Sequence, residues 1–264
     1  MKKNIRTESK TINREPKIIF SDDQLLVIDK PAGWLTHPST SSGQVPLTSL
    51  GTSPSTPAIT EWLITKYPEL EKVGPAERLQ DGSLIPRAGI LHRLDRETSG
   101  VLAVARTTEA FTWFTQAFRE RTVEKVYRAI VVGGVKNDNG VIDLPIARSR
   151  QDPRRRVASP RAKKVGREAV THYEVLERFP EHTYLELRPK TGRTHQLRAH
   201  LKAINAPILG DTLYSPKSAS MTTINRTALH AFSLTLPLQN GERQKFESPL
   251  PLDFSQTLDH LREV

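Results

Sequence analysis

One acid, Asp95, sits among basic side chains in the segment GILHRLDRETSG, residues 89–100, which also holds Glu97. Asp95 has Arg93 and Arg96 around it, His92 before it, and the small hydroxyl pair Thr98 and Ser99 after it. A carboxylate beside guanidinium groups is expected to stay ionised at neutral pH, because the opposite charge favours the anion. Asp95 is therefore suited to act as a nucleophile or base, and not as an acid. An ordinary loop with surface ion pairs fits the same composition.

A second segment of this kind is LRPKTGRTHQLRAHL, Leu187 to Leu201. It reads as a strand, a tight turn at Gly192, and a helix from His195 to Ile204 capped by Thr194. Leu197, Leu201 and Ile204 are expected to face inward. His195, Arg198 and Lys202 fall three and four residues apart on another face, where they can act together. Helix N-termini with clustered arginines favour anions. His195 and His200 are five residues apart, whereas a zinc-binding helical pair sits four apart with an adjoining Glu. They read as core or surface histidines, and no metal is expected.

HRLDRETSG resembles the HRLDxxTSG motif of RNA pseudouridine synthases, in the branch that modifies uridines of large-subunit rRNA or tRNA. Five further segments follow in that family's order: VIDKPAGWLTHP (Val27 to Pro38), EKVYRAIVVG (Glu124 to Gly133), GREAVTHYEV (Gly166 to Val175), TGRTHQLRAHLKAINAPILGDTLY (Thr191 to Tyr214) and RTALHAFSL (Arg226 to Leu234). Six ordered motifs are far more specific than any one, so the ordinary-loop reading of Asp95 falls away. The resemblance runs from about residue 17 to the C-terminal helix.

The resemblance implies an α+β fold with a mixed, largely antiparallel sheet flanked by helices and loops, and a cleft across its centre. It implies that Asp95 is the catalytic aspartate and that Arg198 is the basic residue paired with it. Arg93 matches the residue that enters the base stack and helps turn the target nucleotide out. Tyr127 matches the tyrosine that lies against the flipped base and manages the proton at C5. Leu229 matches an apolar residue packed under the site. The implied reaction breaks the N1–C1′ bond of uridine, turns the uracil, and joins C5 to C1′. No atoms are gained or lost, so no cofactor is expected. One carboxylate at an electron-poor anomeric carbon is a tool shared with glycosidases. Attack on C1′ and removal of the 2′ proton both remain open for Asp95. Base flipping costs a few kcal/mol. Stacking on an aromatic ring such as Tyr127 returns roughly 1–3 kcal/mol.

The elements that must position these residues can be read from periodicity. Lys17 to Phe20 and Leu25 to Ile28 read as a hairpin. Ser39 to Thr60, rich in Ser, Thr, Gly and Pro, is expected to be a mobile loop. Thr60 to Tyr67 reads as a short helix capped by Thr60 and ended by Pro68. Gly100 to Ala105 reads as a buried strand. Thr107 to Thr122 reads as a helix with Phe111, Phe114 and Phe118 on its core face. Strands are expected at Val126 to Val132, Ala169 to Leu176 and Thr183 to Arg188. Asp253 to Glu263 should be a docking helix.

The chain has 264 residues, a net charge of +10 and no cysteine. The missing cysteine excludes disulfides, thiolate metal sites and a cysteine nucleophile, and it fits a reducing compartment. No run of apolar residues is long enough to span a bilayer. A cytoplasmic monomer with no obligatory protein partner is expected. Residues 1–16 read as a basic leader and 17–264 as one catalytic domain. Many relatives carry an S4-like RNA-binding domain at the N-terminus, and the leader is too short for one. Target choice is then expected to come from the catalytic domain and its loops.

Arg148 to Arg167 holds nine basic residues and one acidic residue, most of the chain's surplus charge. Such a patch favours RNA phosphates. Arg148, Arg154, Arg155, Arg156, Lys163 and Lys164 are the candidate ligands, on an exposed loop or hairpin arm. Two rival readings remain: a non-catalytic RNA-binding factor on this fold, and a glycosidase-like hydrolase with Glu97 as its second carboxylate.

Overall fold

Lys17–Ser21 (β1) and Leu25–Lys30 (β2) form the expected hairpin. Its turn is closed by the Asp22 carboxylate, which accepts the N–H groups of Gln24 and Leu25. In the computed structural model the described residues are 15–38, 56–78, 82, 84–215 and 224–264. Most of the basic leader and residues 39–55 of the Ser/Thr-rich loop lie outside them.

The first helix, Ile59–Lys66 (α1), begins without the expected cap. Ala58 occupies the cap position, and Thr60 lies inside the first turn. The Thr60 hydroxyl instead donates to the Thr36 carbonyl and meets His37 Nδ1, tying the helix to the loop after β2. A two-residue hairpin follows, Glu77–Arg78 (β3) with Leu84–Ile85 (β4). Ser99–Ala105 (β5) is buried at every position. Thr108–Arg119 (α2) is capped by Thr107, whose side chain accepts the Ala110 N–H.

Glu124–Val132 (β6) and Asn139–Asp143 (β7) lead into a short hairpin, Ile146–Arg148 (β8) and Arg156–Ala158 (β9). This hairpin is the arm form of the basic stretch, continued by a 3-10 turn at Pro160–Lys164. Val170–Arg178 (β10) and His182–Pro189 (β11) precede Gln196–Ala203 (α3). Leu229–Pro237 (β12), Arg243–Glu247 (β13) and Leu252–Glu263 (α4) complete the chain.

The main sheet has the order β1-β2-β5-β12-β6-β11-β10-β7, with β13 paired to β12. The β5–β12 pair is parallel and the other pairs are antiparallel. This is the mixed, largely antiparallel sheet that the motifs imply. Gly100 makes the parallel step possible. Its φ is +114°, and a Cβ there would sit 2.1 Å from the Ala231 carbonyl oxygen, so a larger residue would force β5 and β12 apart.

Two apolar cores share the sheet. One joins β2, β5, α1 and α2, with Phe114, Leu63 and Leu102 buried. The other joins β6, β11, α3 and α4, with Ile130, Leu201 and Phe254 buried. Tyr127 packs against both, which places it where the two halves meet.

A buried histidine stitches the parallel pair. His230 Nε2 donates to the Ser248 carbonyl at 3.0 Å, which leaves Nδ1 to accept from the Ser99 hydroxyl at 2.9 Å. Burial pulls the pKa of His230 from 6.5 down to about 4. Burial also lowers His37 to about 4 and His92 to about 3. Below pH 6.5 the unfolded chain therefore binds protons that the fold refuses, and stability falls as pH falls toward the folded values. Moving from neutral pH to about pH 5 should cost about 2 kcal/mol at His230 alone. Denaturant titrations at the two pH values check this, with His230→Gln reducing the difference. Equal stability at both would contradict it.

Candidate active site

The turn that carries Asp95 has its own hydrogen-bonding groups satisfied by surrounding elements. Thr36 Oγ1 donates to the Leu94 carbonyl at 2.8 Å and accepts the Leu94 N–H at 3.2 Å. Lys30 is wholly buried at the end of β2. Its ammonium donates to the carbonyls of Pro31, Trp34 and Arg96. Burial lowers its pKa to about 7, against the pull of Glu97 and Asp95. Arg226 reaches the Glu97 carbonyl at 3.3 Å and is held in turn by the Asp253 carboxylate of α4. Opening motif, closing motif and terminal helix thus all grip one turn.

Asp95 projects from that turn into a cleft of about 670 Å³. The cleft crosses the middle of the sheet, with walls that include Tyr127 of β6 and Leu229 of β12. Arg93, Asp95, Tyr127, Arg198 and Leu229 all line it, so the five residues singled out by the motifs come together. Seven of the described lining residues are Arg or Lys, and Asp95 is the sole acid among them. Such a cavity attracts a polyanion while keeping one carboxylate at its floor.

Arg198 connects two acids. Its Nε and Nη2 donate to the two oxygens of Asp211 at 2.7 and 2.8 Å, and its Nη1 donates to Asp95 Oδ2 at 3.1 Å. Burial opposes the guanidinium charge, but the Asp211 hydrogen bonds and the charges of Asp95 and Asp211 outweigh it and push its pKa up. Asp211 is itself fixed by the N–H groups of Leu213 and Tyr214. His195 Nε2 also faces Asp95 Oδ2, at 4.0 Å. Both cationic or N–H-bearing neighbours thus address Oδ2. Among the described residues nothing donates to Oδ1.

Burial pushes the Tyr127 phenol up, and the Asp95 charge adds to the effect. Tyr127 is a neutral phenol at physiological pH. Leu229 is buried and pairs with Ala129 across the β12–β6 ladder. Arg93 is exposed at the cleft mouth, with no ion pair among the described residues.

Other expectations change. α3 starts at Gln196, and the cap position belongs to His195 in a left-handed conformation, not to Thr194. No side chain caps the helix, and the Gln196 side chain instead ties its start to the preceding turn and to β10: its oxygen accepts from Thr191 Oγ1 and the Arg193 N–H, and its amide donates to Val170 and Thr171. Lys202 does not join His195 and Arg198, because it is exposed and outside the cleft. His200 is a core residue hydrogen-bonded to Thr171 and the Leu144 carbonyl.

None of the six candidate phosphate ligands lines the cleft. Arg148 is exposed on β8. Arg154 and Arg155 both pair with Asp152. The Arg156 N–H donates to Tyr214 Oη at 2.7 Å. Lys163 and Lys164 belong to the 3-10 turn. The arm packs on α3 through Ile146, Ala158, Ala199 and Tyr214. Sequence reasoning grouped His195 with Arg198 but gave it no contact with Asp95, and it missed Asp211 and Tyr214 as parts of the site and Arg87, Arg119, Lys125, Arg167 and Arg193 as its basic lining. Several lie inside the quoted motifs, but nothing in their spacing shows which side chain meets Asp95.

An ordered set of motifs, a mixed sheet and a single acid in a basic cleft describe a nucleotide-isomerising enzyme that acts on RNA. The sequence model of the RNA pseudouridylate synthase family matches residues 24–203, and the chain belongs to that family. It is 40% identical over 261 residues to a ribosomal large subunit pseudouridine synthase D of Pseudomonas aeruginosa, covering 94% of this chain and 72% of that one. It is 38% identical to the protein of that name in Neisseria meningitidis, covering 93% and 61%. The solved structure of human RNA pseudouridylate synthase domain containing 4 superposes with a TM-score of 0.68 at 30% identity, covering 93% of each chain. That of the human domain containing 1 protein shares the fold, with a TM-score of 0.66 at 23% identity.

Asp211→Asn tests the shared guanidinium. Removing one member of a buried ion pair costs about 3–5 kcal/mol. The variant should lose roughly 3 kcal/mol of stability and most of its turnover, as denaturant titration and a pseudouridine assay would show. Wild-type stability would remove Asp211 from the site.

Proposed function

We propose that this chain converts uridines of large-subunit ribosomal RNA to pseudouridine, with Asp95 acting at the sugar. The observation that carries the residue assignment is the unequal partnering of the Asp95 carboxylate. Among the described residues Arg198 donates to Oδ2 and nothing donates to Oδ1, and Asp95 lines a cleft rich in cations. The rRNA target is supported by the names of the bacterial relatives. The ribosomal names of those relatives also support the proposal that the chain acts in the cytoplasm.

The steps follow from these residues. RNA docks along basic side chains, and Arg93 enters the base stack as the uridine turns out. The uracil lies against Tyr127, above the apolar floor at Leu229. The N1–C1′ bond breaks with its electron pair leaving on uracil, where the carbonyls spread the charge. Asp95 either bonds to C1′ or takes the 2′ proton. The uracil turns, and C5 bonds to C1′ as the Asp95–C1′ bond breaks or, on the other route, as Asp95 returns the 2′ proton. The C5 proton then leaves and N1 gains one, so product and substrate have the same atoms. Tyr127, a neutral phenol, can serve that transfer as a relay that accepts and donates together. Arg198 holds Oδ2 of the carboxylate through its Nη1 donor.

The binding-only reading gives no role to a carboxylate aimed into a basic cleft. The glycosidase-like reading lacks its second acid, because Glu97 pairs with Arg96 and does not line the cleft.

Pseudouridine mapping of total RNA tests the function. Cells lacking the gene are compared with cells restored with wild type or Asp95→Ala. A position lost on deletion and regained only with wild type is expected, and it names the uridine. Unchanged rRNA would refute the target, and full rescue by Asp95→Ala would refute the role of Asp95. Asp95→Asn should lose turnover while keeping RNA affinity within about twofold, since it removes charge and not shape.

The arm carries a separate prediction. Replacing Arg148, Arg154 and Arg155 by Gln should weaken RNA binding and flatten its salt dependence, by a slope change of roughly 0.7–0.9 per lost phosphate contact. Filter binding over a salt series measures it. An unchanged slope would take the arm out of the interface.

A further inference from the structure

His195 adopts φ 55° and ψ 23°, a left-handed conformation that a residue with a side chain enters at a cost. Backbone strain of this kind persists where surrounding contacts hold it. Here the conformation sets the imidazole between two partners. Nε2 faces Asp95 Oδ2 at 4.0 Å, and Nδ1 meets Tyr214 Oη at 3.2 Å. The ring also packs edge-on against Tyr214.

The direction of this chain of contacts is set at its far end. The Arg156 backbone N–H reaches Tyr214 Oη at 2.7 Å. A backbone amide can only donate. Tyr214 Oη therefore accepts there and keeps its own hydrogen to give. Among the described residues His195 Nδ1 is its partner. A hydroxyl that gives its hydrogen to Nδ1 makes that nitrogen the acceptor and leaves the ring hydrogen on Nε2, facing the carboxylate. Burial keeps the imidazole neutral, with Arg198 and Arg156 reinforcing that and Asp95 and Asp211 opposing it.

We propose that His195 is a positioning residue, locked as the Nε2–H tautomer by the chain Arg156 N–H to Tyr214 to His195. Its N–H joins Arg198 in reserving Asp95 Oδ2, so that Oδ1 is the oxygen presented to the sugar. This role rests on the assignment of Asp95 made above. At 4.0 Å the contact is longer than a hydrogen bond, and such contacts commonly tighten once substrate fills a site. Arg156 belongs to β9. The arm proposed to meet RNA phosphates thus supplies the first donor of the chain, and seating of the arm governs the tautomer beside the catalytic aspartate.

The test is spectroscopic and kinetic, on the full chain labelled with nitrogen-15 at histidine. Long-range proton–nitrogen spectra at neutral pH distinguish a protonated Nε2 from a protonated Nδ1, and His195→Asn identifies the signals. Wild type should show protonated Nε2 and bare Nδ1. Tyr214→Phe keeps the ring that lies 5.1 Å from the Arg198 guanidinium but removes the hydroxyl. It should turn His195 into a mixture of tautomers and lower kcat about tenfold, with the RNA KM changed by less than about twofold. A wild-type Nδ1–H tautomer, or a Tyr214→Phe spectrum like wild type, would overturn the proposal. So would a Tyr214→Phe effect confined to KM. If Asp95→Ala kept its turnover, the assignment of Asp95 would fail while the spectra still decided the tautomer.

Discussion

The site depends on one guanidinium shared between two carboxylates. Arg198 is buried, and Asp211 is wholly so. Charges in such a place are tolerated only when each has partners in good geometry. Asp211 meets the fork of Arg198 with both oxygens and accepts two backbone N–H groups besides. That bidentate contact fixes the plane of the guanidinium and leaves Nη1 to reach Asp95. Three segments distant in the chain must be correctly placed for this to happen. They are the turn before β5, the start of α3, and the loop before β12.

Much of the remaining architecture serves that placement. The Asp95 turn hangs from Lys30, Thr36 and Arg226 through its carbonyl oxygens. Gly210, at φ +71°, lies so close to the Arg226 carbonyl that a Cβ would come within 2.1 Å. The Asp211 loop is thereby held against the strand that forms the cleft floor. The two apolar cores supply rigid walls, and Tyr127 at their junction contacts both. A neutral phenol and an apolar floor suit a flipped base, while the cationic lining suits the phosphates that deliver it.

The basic arm and the acid are physically connected. Tyr214 stacks with Arg198 and meets both His195 and the Arg156 amide. A segment whose charge alone suggested phosphate contacts therefore also touches the hydrogen-bonding network around Asp95. Charge on the arm and geometry in the cleft are two properties of one piece of structure.

Motifs and periodicity along the chain were enough to read the family, six of the nine strands of the main sheet (β1, β2, β5, β6, β10 and β11, but not β7, β12 or β13), the amphipathic helices and the five motif residues that meet in the cleft. These are legible because periodicity and ordered motifs are local patterns along the chain. Thr107 capped its helix as its type predicts, whereas Thr60 and Thr194 did not. Thr60 is engaged by Thr36 and His37, partners far away in sequence, and intrinsic preference cannot foresee such competition. The tertiary structure alone decided that Arg198 serves two acids, that Asp95 has one held and one open oxygen, and that His195 and Tyr214 belong to the site. Each of these is a contact between segments well separated in the chain. Spacing along a chain says which residues share a helix face. It does not say which distant carboxylate a guanidinium will find, because folding of the whole sheet sets that distance.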